Sequence, residues 1–203
     1  MLAETDQDAK WMLQVAGGDR AAFARLFDRH QQRVVRFCHR FVGDPHRAEE
    51  LAQDVFVKLY RSAGRYQQTA RFQTFLFRVA TNTCLNELRR PGRAAEKTEA
   101  PVDDDEMPGA LERASSGETP DQVMEAKDVE KALQLALCGM SDRERAAFTM
   151  CRFEGMAYRD IADALEATEA AVKSLIHRAS LQVLTHLDAL KINAGVESAG
   201  SAA

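Results

Sequence analysis

Apolar residues along this chain recur at three- and four-residue intervals, and no stretch shows a convincing period of two, so the pattern predicts helices throughout. A short lead-in helix is expected around Trp11 to Val15, ended by Gly17-Gly18. From Asp19 a helix carries Phe23, Leu26, Phe27, Val34, Val35, Phe37, Cys38 and Phe41 to a stop at Gly43. Asp44 caps the next and Pro45 opens its first turn. That helix places Ala48, Leu51, Ala52, Val55, Phe56 and Leu59 on one face, with Glu49, Glu50, Gln53, Asp54 and Lys58 largely on the other. After a loop at Ser62 to Thr69, a fourth helix runs from Arg71-Phe72 to Arg89-Arg90, where Pro91-Gly92 ends it. A further helix is expected from about Asp121 to Leu137. Ser141 with Glu144 three residues on forms a capping box for the one after it, which ends near Glu154-Gly155.

The stretch from Glu154 to Arg178 organises the second half. A short helix from Tyr158 to Leu165 has Ile161, Ala162 and Leu165 on one face. Thr168 then offers a cap, and Glu169 sets an acid at the positive end of the following helix dipole. Val172, Leu175, Ile176 and Ala179 form its apolar stripe; Ala170, Lys173, Ser174, His177 and Arg178 face away. This is the layout of a helix-turn-helix, whose second helix lies in the DNA major groove. An ordinary helical hairpin has the same periodicity. The second helix can extend through Leu181, Leu184, Leu187 and Leu190, and residues 195–203, rich in Gly, Ser and Ala, are read as frayed.

Charge changes the picture. The 203 residues sum to a net charge of −4, but residues 19–93 hold 15 Lys and Arg against 7 Asp and Glu. Residues 94–128 hold 3 against 11, and residues 129–190 hold 7 against 9. A basic block beside an acidic one points to a nucleic-acid surface next to a solvated connector. The connector carries Pro101, Pro108, Pro120, Gly109, Gly117 and the run Asp103 to Glu106, with too few large apolar residues to build a core. The fourth helix sets three aromatics among arginines. That pattern serves a core on one face and single-stranded nucleic acid on another, where bases stack and phosphates are neutralised.

Enzymatic chemistry finds no foothold. Cys38, Cys84, Cys138 and Cys151 show no C-x-x-C spacing, and no Cys/His cluster has zinc-site spacing. Only His39 beside Cys38 invites comparison with a nucleophile pair. Free thiols within apolar helical patterns predict a reducing, cytoplasmic setting. Residues 1–18 do not read as a signal peptide, and no apolar run has membrane-spanning length.

Several blocks, in order, resemble the extracytoplasmic-function (ECF) type of bacterial RNA polymerase sigma factor. Asp44-Pro45-His46-Arg47-Ala48-Glu49-Glu50-Leu51-Ala52-Gln53-Asp54-Val55-Phe56 resembles the family's acidic helix in region 2. Phe72 to Asn82, closed by Arg89-Arg90, resembles its promoter-melting block. Met140 to Arg145, Glu154 to Ala162 and Val172 to Ala179 resemble three blocks of region 4. Four positions depart from the family pattern: Phe75 for Trp, Asn86 for Asp, Glu166 for a turn Gly, and Leu175 for a recognition-helix Arg. If the Glu166 position needs a left-handed backbone, Glu should cost about 1 kcal/mol there.

The resemblance implies an all-α protein of two small helical domains joined by an acidic flexible linker. Residues 1–93 are the region 2 domain, 94–124 the linker, 125–190 the region 4 helix-turn-helix domain and 191–203 a flexible tail. It implies promoter-specific initiation without catalysis or a cofactor, with core RNA polymerase and promoter DNA as partners and, commonly, an anti-sigma factor. Glu49, Glu50, Gln53 and Asp54 are the expected polymerase contacts. Tyr66, Gln67, Gln68 and Thr69 are the expected base-reading loop at the −10 element, helped by Arg71, Arg78, Asn82, Arg89 and Arg90, while Phe75 is read as core. Thr168, Glu169, Lys173, Ser174, His177 and Arg178 are expected at the −35 element. A compact inactive state, alone or with an inhibitor, is expected beside an extended one on the polymerase; the acidic run Asp103 to Glu106 is either a solvated spacer or, in the compact state, a contact for the basic face of residues 71–90. A helix-turn-helix regulator that never binds the polymerase core is the alternative; it would not need the acidic helix.

Overall fold

Caps fix most of the helix boundaries. The computed structural model describes the backbone of residues 6–90 and 120–200, and the side chains of 6–90 and 129–189. The fold over these residues is all-α. Helix α1 (Gln7–Ala16) starts at Asp6, whose carboxylate accepts the N–H groups of Asp8 and Ala9. Helix α2 (Arg20–Val42) starts at Asp19 in the same way and ends at Gly43, where φ of 74° places the chain in the left-handed region that glycine adopts freely. Helix α3 (Pro45–Ser62) follows at once, with Asp44 accepting from Arg47 N–H. A 3-10 turn (Ala63–Arg65) leads to the loop before α4 (Phe72–Leu88). Arg71 gives α4 no side-chain cap; Asp6, 66 residues back, accepts the Phe72 N–H at 2.7 Å. One carboxylate therefore serves the starts of two helices.

The second half holds α5 (Pro120–Gly139), α6 (Asp142–Arg152), α7 (Tyr158–Leu165) and α8 (Glu169–Gly200). Both halves of the Ser141–Glu144 capping box are present. Glu166 joins α7 to α8 with φ of 50° and ψ of 54°, the left-handed backbone that its position demands. Helix α8 continues to Gly200 through the segment read from sequence as frayed. The acidic run Asp103 to Glu106 and most of the expected linker lie outside the described residues.

In the first half, α2 packs along α3, and α4 lies across both. Phe37, Phe41, Phe72 and Phe77 are fully buried there. In the second half α8 is the common partner of α5, α6 and α7. The buried apolar residues do not divide at this boundary. One continuous cluster runs from Ala9 and Met12 through Leu76 and Phe77 to Met150, Ile161 and Ile176. A small satellite of Leu137, Met140, Phe148 and Ala179 joins α5, α6 and α8.

Polar ties cross between the halves as well. Arg33 on α2 donates to Glu154 Oε2 from Nε at 3.0 Å and from Nη2 at 2.8 Å. Gln73 on α4 donates to the Glu154 carbonyl at 2.9 Å. Arg145 on α6 donates to the Phe41 carbonyl at 2.6 Å. The Arg40 guanidinium lies 3.7 Å from the Phe153 ring centre, a cation–π contact. Helix α7 rests on α4.

Candidate functional site

The acidic face of α3 forms because its apolar stripe, Ala48, Leu51, Ala52, Val55, Phe56 and Leu59, is buried. Glu49, Glu50, Gln53 and Asp54 all stand exposed opposite it. They are not equivalent. Glu50 pairs with Arg47, which also holds Glu87 on α4 through Nε at 2.9 Å and Nη2 at 2.6 Å. Glu50 thus belongs to a network tying α3 to α4, and its two carboxylate partners hold Arg47 firmly protonated. Gln53 instead lines an open apolar groove of about 500 Å³ with Phe23, Phe27, Phe56, Val57 and Tyr60, flanked by Arg20 and Arg61. Val57 is 47% and Tyr60 44% exposed, on a face that is otherwise charged.

The second group surrounds the start of α4. A cavity of about 350 Å³ is lined by Tyr66, Gln67, Thr69, Ala70, Arg71, Thr74, Phe75 and Arg78, and on its far side by Asp163 of α7. Gln67, Gln68, Thr69 and Arg71 are exposed and Arg78 half-buried, with its guanidinium 5.6 Å from the Phe75 ring centre. Tyr66, the first residue of the expected base-reading loop, is less open than the three that follow it. Its ring is buried against Phe75 at 5.1 Å and Phe72 at 6.5 Å between centres, because it closes the core where the 3-10 turn meets α4. Burial and the nearby Asp6 push its hydroxyl up to about 12. The Tyr66 hydroxyl and Thr74 Oγ1 are both buried without a hydrogen-bond partner. Asn82 and Arg89 are exposed farther along α4, and Arg90 Nη1 lies 3.1 Å from Glu87 Oε2.

The third group lies on the helix-turn-helix. Thr168 caps α8 by accepting the Ala171 N–H at 3.2 Å. Glu169, Lys173, Ser174, His177 and Arg178 are exposed along one side. Ser174 spends its hydroxyl proton on the Ala170 carbonyl. Arg178 is not free either: its Nε donates to Glu144 Oε1 at 2.6 Å. That bond, then Ser141, holds the Glu144 carboxyl below its ordinary value. Leu175 is buried, so it packs the stripe rather than facing DNA. Lys173 and His177 stand exposed on the same side.

Comparison with known proteins decides the family. Sigma-70 region 2 matches residues 26–94, and Sigma-70 region 4 matches residues 130–183. The RNA polymerase sigma-H factor of Pseudomonas aeruginosa is 30% identical over 86% of this chain and 90% of its own length. This chain belongs to the ECF sigma factors of RNA polymerase. The ECF sigma factor SigE of Mycolicibacterium smegmatis is 34% identical over 85% of the present sigma factor and 65% of its own length. The fold resembles CnrH, solved with the cytosolic domain of CnrY, at a TM-score of 0.62 and 22% identity over 91% of this chain and 99% of that one. It resembles the Bartonella quintana sigma factor RpoE, solved with the anti-sigma factor NepR, at 0.62 and 20% identity over 82% and 96%. Among the described residues no helix is long and apolar enough to cross a membrane.

Sequence reasoning missed four groups in this sigma factor. Val57 and Tyr60 could have been found, since both are large apolar residues off the buried stripe of α3. Asp6 at the α4 start, and Arg33 with Glu154, could not: their partners lie 66 and 121 residues away.

Proposed function

We propose that this sigma factor docks on the core polymerase through α3, opens the −10 element at the loop and first turns of α4, and holds the −35 element on α8. The observation that carries the reading is one chain holding, in order, an acidic helix face, a basic cavity of base size and a helix-turn-helix. The proposed docking residues are Glu49, Gln53 and Asp54, with Glu50 contributing through Arg47, and Val57 and Tyr60 add apolar surface beside them. An acidic helix face beside an apolar groove flanked by Arg20 and Arg61 gives both steering and burial.

At the −10 element, a base must leave the stack to be read, which costs a few kcal/mol. Gln67, Gln68 and Thr69 offer donors and acceptors, Arg71 and Arg78 neutralise phosphates, and Tyr66 and Thr74 pack the wall of the cavity. Asn82, Arg89 and Arg90 extend the strand path along α4. At the −35 element, Lys173 and His177 reach towards the groove, with Thr168, Glu169 and Ser174 at the helix start; Arg178 contributes once it leaves Glu144. The chemistry of bond formation belongs to the polymerase. The place of action is the cytoplasm, where the polymerase works. An anti-sigma protein is the expected inhibitor; two solved structures of similar fold were determined with such partners or a cytosolic partner domain.

The test is transcription in vitro with purified core enzyme over a library of genomic fragments. Discrete start sites that require the added chain are expected. A chain that binds DNA yet neither binds core nor starts transcripts would be a regulator of another kind.

A further inference from the structure

We propose that Asp6, at the start of α1, is a positioning residue for −10 recognition: its carboxylate sets the first turn of α4, and with it Arg71 and the reading loop, without touching DNA. The inference rests on the reading of that loop given above. The first N–H groups of a helix have no partner within it and need one from elsewhere. Helix α4 has no local cap, because Arg71 occupies the capping position and its side chain has no acceptor. Asp6 supplies the missing acceptor from across the fold, with Oδ2 2.7 Å from the Phe72 nitrogen. Its other oxygen, Oδ1, serves α1, at 3.2 Å from the Asp8 nitrogen and 3.3 Å from that of Ala9.

The loop depends on such a hold. Within it, Thr69 N–H donates to the Gln67 carbonyl at 2.8 Å, a bond too local to fix the loop against the fold. Its two ends are anchored instead. The Tyr66 ring is buried in the core, and the Phe72 N–H is tied to Asp6. Gln67, Gln68, Thr69 and Arg71 lie exposed between these anchors. Asp6 also stands near enough to Tyr66 to add to the burial that pushes its hydroxyl up, so one carboxylate lies beside both ends of the loop. Helix α1 is itself firmly seated. It packs on α2 and on the 3-10 turn, with Ala9 and Met12 fully buried. Asp8 accepts from Arg29 at 2.6 Å and lies 2.9 Å from His30 Nε2. Asp6 carries the rigidity of that packing to residues that must be held within about 0.5 Å to tell one base from another.

Holoenzyme assembled from the full chain and core polymerase tests this. The template is a promoter at which the wild-type chain starts transcripts, remade with each of the four bases at each −10 position. The ratio of initiation rates between the preferred base and the others is read. Backbone hydrogen exchange over residues 66–72 is read beside it, in the free chain. Asp6→Asn keeps one acceptor oxygen, enough to cap α1 as well as Asp does, but its amide nitrogen cannot accept from Phe72. It should lower the ratio about tenfold, within what one good base contact is worth, and speed exchange at Phe72. Asp8→Asn is the control, since it loosens α1 from Arg29 and His30 without touching α4. It should lower the melting temperature and leave the ratio unchanged. A merely structural role would scale every rate alike, because lost active protein affects all bases equally. A wild-type ratio with Asp6→Asn would overturn the proposal. Equal compression of the ratio by both variants would overturn it too, by assigning the effect to α1 as a whole. If Asp6→Asn loses helical circular dichroism, Asp6→Ser, which also caps with a single oxygen, carries the same readings. Absence of transcripts with the wild-type chain would defeat the sigma reading. Exchange at Phe72 is scored regardless, and no change there would overturn the hold of Asp6 on α4.

Discussion

Glu166 holds φ of 50° at the turn between α7 and α8, a conformation in which its Cβ crowds the following carbonyl. Replacing it with Gly should raise stability by about 1 kcal/mol, and Glu166→Ala should not, because Ala carries the same Cβ. Urea unfolding of the three proteins checks this. The position was legible in the sequence as the departure of one residue from a turn pattern. His30 and His39 behave differently. Burial holds both imidazoles below their ordinary value of 6.5, more than the Asp8 carboxylate on His30 or Glu130 near His39 can offset. Once unfolded, both titrate near 6.5, so as pH falls through that value the unfolded chain takes up protons that the folded chain refuses. Stability present above that pH is therefore lost below it, by at most about 1.4 kcal/mol per pH unit for each histidine. Melting curves across this range should show the fall, and His30→Gln, which keeps a donor for Asp8, should flatten it. Neither imidazole's burial could be read from its neighbours in sequence, because packing between helices sets it.

At the scale of the element, α3 carries two kinds of acid. Asp54→Lys should weaken core-polymerase binding and leave the melting temperature unchanged, since Asp54 has no ion pair among the described residues. Glu50→Lys should weaken binding too, but with a stability loss of up to about 1 kcal/mol, because Arg47 loses an exposed partner. Binding titrations beside thermal melts separate them; equal melting temperatures would remove Glu50 from the α3–α4 network. Helix boundaries were the most legible feature of the chain. Asp19, Asp44, Ser141 with Glu144 and Thr168 are local signals, and each caps the helix that follows it. What faces the solvent on those helices was less legible. Arg178 was read as a DNA contact from its side of α8, yet Glu144, which the same reading had assigned to a cap, holds it. Tyr66 sits in a loop by sequence and in the core by packing.

At the scale of the molecule, the two units were legible from composition, but not the continuity of their cores. Because buried side chains from α1 to α8 form one cluster, the chain should melt in a single cooperative transition, and Glu154→Arg should split it into two. Differential scanning calorimetry distinguishes these outcomes. The free chain should also bind duplex promoter DNA weakly and with little preference, since residues 129–190 hold more acids than bases and attract few phosphates. The contact at Arg145 bears on how such factors could be recombined. Its guanidinium donates to the main-chain carbonyls of Phe41, Cys138 and Met140, so its hydrogen bonds recognise backbone, and the Phe41 ring 5.8 Å away is the α2 side chain it touches. The Arg33–Glu154 pair is different, for it needs a matched residue on each unit. A hybrid that grafts another factor's region 4 onto this region 2 would keep the first contact with any donor bearing the arginine and lose the second unless the donor also supplies the acid. Promoter preference and the fit between the two units would then be inherited separately, and donors lacking an acid at the Glu154 position would leave Arg33 without its partner across the units.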